Sequence, residues 1–139
     1  MQILRTLLLI VVTVSTLPSA YAEDDAEEET APVSVQYLEL SPGIIASYGA
    51  EGGRPRLLNA EITLQVIGDD MAEQIQKYLV PVRHDLIMLF SSLKSDEANS
   101  GEQIEALRAK ALELVHTSLG EWIKDVQVAD LLFTKFVTE

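Results

Sequence analysis

Apolar and polar positions alternate most regularly between Leu57 and Ile67. Leu58, Ala60, Ile62, Leu64 and Val66 face one way, and Asn59, Glu61, Thr63 and Gln65 face the other. That period of two is the pattern of a strand with one buried face. Its polar side must meet either water or a partner. Upstream, Val35 to Leu40 alternates enough for a short strand, ended by the turn cluster Ser41-Pro42-Gly43. Ile44 to Tyr48 forms a second apolar piece, cut by Gly49 and the Glu51-Gly52-Gly53 stretch, which reads as a mobile hairpin loop.

After Ile67 the period changes from two to that of a helix. Gly68-Asp69-Asp70 stops the strand, and either aspartate is placed to cap a helix and complement its dipole. Met71, Ile75, Tyr78, Leu79, Val82, Leu86, Leu89 and Phe90 then keep one stripe to about Leu93. Pro81 lies within it and predicts a kink, or a break into two helices, at that point. Ser95 to Gly101 is polar and loop-like. Ser100 with Gln103 forms a capping box ahead of Ile104, Leu107, Ala111, Leu114, Val115 and Leu119, and Gly120 is a natural stop. Val126 to Val137 returns to strand, apolar on both faces, which suits either a central strand or an edge that accepts another chain. Trp122 and Phe133, with apolar neighbours, read as core. Strands, then helices, then a closing strand predict an α+β fold, an antiparallel sheet with helices packed on one face.

The first residues change the picture of where this domain works. Arg5 is the only charge before Glu23, and the apolar run from Leu7 to Leu17 is followed by Pro18 and Ala20-Tyr21-Ala22. This is the form of a secretory signal peptide over residues 1–22, with cleavage after Ala22. A short retained membrane anchor is the competing reading, with Arg5 on the inner side. Glu23 to Thr30 holds six acids in eight residues, a block that repels itself and reads as a disordered acidic linker over 23–32. The folded domain is then expected over 33–139, a length that suits one domain and not two.

With 22 Asp+Glu against 10 Lys+Arg the chain carries a net −12. That balance argues against nucleic acid, whose phosphates call for a basic surface. It also argues against a bare electrostatic hold on anionic lipid. There is no cysteine, so neither disulfides, thiolate metal sites nor a lipid anchor on Cys is available. His84 and His116 stand outside any His-Glu-x-x-His pattern, and adjacent helix residues such as His84 and Asp85 point apart. No Gly-x-Ser-x-Gly elbow occurs. The glycines at 49, 52 and 53 are followed by no Lys-Ser/Thr and lead into a strand, whereas a phosphate loop opens a helix. With no converging nucleophile, base and orienting group, the expectation is a binding protein and not an enzyme, with no cofactor and no metal. Arg54 and Arg56, the close basic pair of an acidic domain, are candidate anchors for an acidic partner. Asn59, Glu61, Thr63 and Gln65 are candidate contacts on the sheet's polar face.

Several segments, in order, resemble the flagellar basal-body-associated FliL family. Tyr37-Leu38-Glu39-Leu40 is similar to that family's opening aromatic strand, and Arg56 to Leu64, after Gly53-Arg54, to its long strand. Pro81-Val82-Arg83-His84-Asp85-Leu86-Ile87 followed by Leu89-Phe90-Ser91-Ser92 is similar to its most recognisable segment. Gly101, Leu107 and Arg108 open the next helix, and Asp125-Val126 and Val128 lead into Leu131 to Val137, which is similar to its terminal strand. The resemblance implies a fold like that of stomatin/prohibitin-type (SPFH) domains. It also implies a periplasmic location beside the inner membrane, assembly into homo-oligomeric rings around flagellar stator units, and support of rotation or swarming. The leader is shorter than the membrane helix that usually opens family members. A periplasmic protein-binding adaptor with no flagellar role is the alternative expectation.

Overall fold

The computed structural model describes residues 32–139. The leader over 1–22, its cleavage position at Ala22 and all but the last residue of the acidic stretch lie outside the described residues. The domain is built on one strand, β3 (Arg56–Ile67), flanked by β1 (Val35–Glu39), β2 (Ile44–Tyr48) and β4 (Val128–Thr138). All pairings are antiparallel. β1 and β2 share one side of β3, with Val35 opposite Ile67 and Tyr48 opposite Arg56. Between them the backbone N–H of Leu40 donates to the Ile62 carbonyl at 2.9 Å, so the edge continues past Ser41-Pro42-Gly43. β4 takes the other side alone, with bulges between Glu61 and Ile62 and between Gln65 and Val66.

The alternation read from the sequence is the alternation of burial. Leu58, Ala60, Ile62, Leu64 and Val66 are each 0% exposed. They lie against three helices, α1 (Asp69–Gln76), α2 (Leu79–Ser91) and α3 (Gly101–Gly120). α1 packs along β1, α2 along β2 and α3 along β4. Ile75, Val82, Leu86, Phe90, Leu107, Ala111, Val115 and Leu119 complete the core from the helix side. Each such side chain, fully buried, contributes on the order of 1.5–3 kcal/mol for the larger aliphatics and aromatics. The fold is therefore α+β, strands then helices then a strand, as expected.

Four local expectations are modified. The long apolar stripe does divide into two helices, but the break falls at Lys77–Tyr78 and not at Pro81. Pro81 is the third residue of α2, where its missing N–H costs nothing. Its ring cannot accommodate the carbonyl four residues back, so the helix must begin afresh just upstream. Neither Asp69 nor Asp70 caps α1. Gly68, at φ 93°, occupies that position, and Asp69 instead accepts from Gln36 Nε2 at 2.6 Å. The aspartates still lie in the first turn, where the helix dipole favours them. Of the two positions open to the last strand, β4 occupies an edge among the described residues. Finally, Trp122 is not core. It is 58% exposed, because the turn after α3 sends Ile123 (5% exposed) inward in its place.

Other local signals match their expectations. Ser100 Oγ accepts from the Gln103 backbone N–H, and Gln103 reaches back to Ser100, the complete capping box. Gly49 has φ 72°, and a Cβ there would lie 3.0 Å from Ser95, so a turn and a close approach both require glycine. Leu64→Asp is expected to unfold the domain, since it buries a charge with no partner, at a cost of about 3–5 kcal/mol. Thr63→Asp on the other face is expected to shift stability by less than about 1 kcal/mol. Thermal melts of the two variants check both the face assignment and the size of the effect.

Candidate partner-binding surface

Because all three helices lie on one side, the other face of the sheet has no cover among the described residues. The candidate contacts Asn59, Glu61, Thr63 and Gln65 run down its centre, half-buried by their neighbours. Pairing fixes what stands beside each. Asn59 lies between Ile45 and Val137, Thr63 between Glu39 and Leu132, and Gln65 between Tyr37 and Asp130. Glu61 meets Lys135 at 3.4 Å, and its backbone carbonyl accepts from Thr134 Oγ1. This surface ion pair is about half exposed and holds the face together only weakly.

The face is less polar than the β3 pattern alone suggests. Five of the nine exposed large apolar side chains, Val35, Tyr37, Ile45, Leu57 and Val137, stand on it, so exposed apolar area is gathered there and not scattered. Ile45 is 65% exposed. With Leu57, Asn59, Lys135, Val137 and Glu139 it lines a shallow depression of about 300 Å³. Its floor is fixed by reciprocal backbone bonds between Leu57 and Glu139, at 2.9 and 2.8 Å. Sequence reasoning missed Ile45 and Leu57. The adjacent pairs Ile44-Ile45 and Leu57-Leu58 were the available signal, since adjacent apolar residues on a strand must place one on each face.

The two candidate arginines do not act as a pair. Arg54 is exposed in the loop before β3 and makes no ion pair among the described residues. Arg56 is committed internally. Its guanidinium donates to the Ser95 carbonyl at 3.2 Å and to Asn99 Oδ1 at 2.7 Å, and it lies 5.7 Å from the centre of the Tyr48 ring. It thereby ties the loop before α3 to the start of β3. Arg83 is likewise engaged, donating to the carbonyls of Pro42 and Gly43. Arg108 on α3 joins Glu105, Asp130 and the Leu131 carbonyl. The hydrogen bond to Glu105, then the charge of Asp130, raise its pKa further, so it stays cationic wherever the protein is folded.

A second apolar feature lies away from the sheet face. Trp122 stacks on Tyr78, ring centres 5.6 Å apart and planes within 16°, and Val80, two residues beyond Tyr78, is 79% exposed. The remaining chemistry is sparse. His84 is exposed, Asp85 accepts from Ser118 Oγ at 2.6 Å between α2 and α3, and no group of three or more His, Cys, Asp or Glu gathers among the described residues. No helix among them is long and apolar enough to cross a membrane.

A family model described as flagellar basal body-associated protein FliL matches residues 37–138, which is nearly the whole sheet-and-helix body. The chain belongs to the FliL family. Membership associates it with the flagellar basal body, and so with motility and the neighbourhood of the membrane. No curated protein matches the chain. Within this FliL-family domain both the uncovered sheet face and the Tyr78–Trp122 stack fall inside the matched region.

The division of labour between the arginines has a measurable consequence. Arg56→Ala is expected to lower stability by about 1–3 kcal/mol, because it frees the 95–99 loop and leaves Asn99 unpaired. Arg54→Ala is expected to stay within about 0.5 kcal/mol of the parent. Urea midpoints at constant slope separate the two.

Proposed function

We propose that this protein is exported, lies on the periplasmic side of the inner membrane, and binds or encircles the flagellar stator units, so supporting rotation and swarming. The family match over residues 37–138 carries the reading. The leader supports export, because Arg5, the Leu7–Leu17 run and Ala20-Tyr21-Ala22 follow the order of a signal peptide. Whether cleaved after Ala22 or retained as a short anchor, it delivers the same domain to the same side. The uncovered sheet face supports binding, since a contiguous apolar patch rimmed by polar side chains is the usual form of a protein contact. Asn59, Glu61, Thr63 and Gln65 would then supply the polar contacts, with Arg54 as a free cation at the loop. The partners are stator proteins and further copies of the chain in a ring.

The adaptor reading shares the leader and the surface and differs only in the partner. Deletion of the coding sequence distinguishes them. The flagellar reading expects swarming and swimming in viscous medium to fall, with swimming in dilute medium less affected, and restoration by the wild-type copy. Motility unchanged under load would favour the adaptor and remove the stator proposal.

A further inference from the structure

We propose that copies of this chain join head to tail, the Trp122 side chain of one copy seating in the Ile45–Leu57–Val137 depression of the next. The proposal rests on the ring reading above and names its two surfaces. Tyr78 covers one face of the Trp122 indole, and the side chain remains 58% exposed. The Tyr78 and Trp122 backbone N–H groups donate to Ile75 and Leu119 at 2.8 and 3.0 Å, so this knob is held in place before any partner arrives. A preformed aromatic projection loses little freedom on docking, and large aromatics seated in pockets dominate protein contacts.

The knob cannot reach the depression of its own chain. The turn bearing Trp122 feeds Gln127, whose carbonyl accepts from Ile67 at the far end of β3. The depression lies at the opposite end, beside Leu57 and Glu139, on the face away from the helices. Along the strand that is roughly 35 Å at about 3.4 Å per residue. Two different patches that meet only between copies make a heterologous contact, which closes into a ring when the rotation per step allows.

Charge favours these surfaces over the rest of the molecule. Each copy carries a net −12, so most approaches between copies are repulsive. Around the knob, Lys77 and Lys124 offset Glu121 and Asp125. Around the depression, Lys135 stands against Glu139 and the already paired Glu61. The contact is thus made where acidic copies repel least, and added salt should strengthen it by screening the remainder.

The test uses two variants of the protein as the exporting cell delivers it, each lacking one half of the contact. Trp122→Ala keeps the depression and removes the knob, while Ile45→Glu keeps the knob and spoils the depression. Both positions are exposed, so each variant should melt within about 2–4 °C of the parent. If Ile45→Glu melts lower, Val137→Glu takes its place. In sedimentation, each variant alone should self-associate about tenfold or more weakly than the parent. Their mixture should form a one-to-one dimer and stop there. Trp122 is the single tryptophan of the chain, so in that mixture its emission comes only from the Ile45→Glu copy and should shift to the blue. A parent that assembles while the mixture stays monomeric overturns this contact and leaves the ring reading intact. Either variant assembling as well as the parent also overturns it. A parent that stays monomeric at every concentration removes the ring reading and this contact together.

Discussion

The complete burial of every second side chain of β3 is the constraint on which the remaining structure depends. Leu58, Ala60, Ile62, Leu64 and Val66 have no exposed surface, and both edges of the strand are occupied. Because strand side chains alternate strictly, a one-residue slip would move the whole set to the other face. Register, helix placement and the identity of the free face therefore follow from one decision. The helices need only present apolar stripes of the right length. α1 and α2 do so under β1 and β2, and α3 does so under β4.

One-sided cover has a consequence for function. A sheet packed on a single helix layer leaves its other face to water or to a partner. Here that face collects Val35, Tyr37, Ile45, Leu57 and Val137 around a polar central line. An isolated exposed leucine needs no explanation, whereas a gathered set flanking a shallow depression does. The Tyr78–Trp122 stack is a second such set at a different place on the molecule. Membership of a basal body-associated family supplies a setting in which surfaces of this kind have work to do. Arg56, by contrast, carries a charge that serves the fold, holding the loop before α3 against Tyr48 and leaving Arg54 as the freer of the two.

Where sequence reasoning and structure part, the reason is local in each case. Pro81 was rightly identified as a helix breaker, but a proline's effect falls on the carbonyl four residues earlier, and the break lies at Lys77–Tyr78. Asp69 and Asp70 were rightly placed at a helix start, yet Gly68 takes the cap position because the strand must turn sharply there. Trp122 was read from apolar neighbours as core. Which of Trp122 and Ile123 turns inward depends on how the chain leaves α3, and composition does not contain that information.

The amino-acid pattern alone determined the elements, their order, the α+β class, the buried face of β3 and the resemblance to a basal body-associated family. Those properties are periodic or local, and short stretches of sequence encode them directly. Tertiary structure alone decided that β4 lies at an edge, that Arg56 is internally bonded and that Ile45, Leu57 and Val137 converge on one depression. It alone decided that Trp122 stands out from the surface on Tyr78. These facts join residues as far apart as Ile45 and Val137, and separations of that kind are set by strand pairing and helix docking, which no local run of residues records.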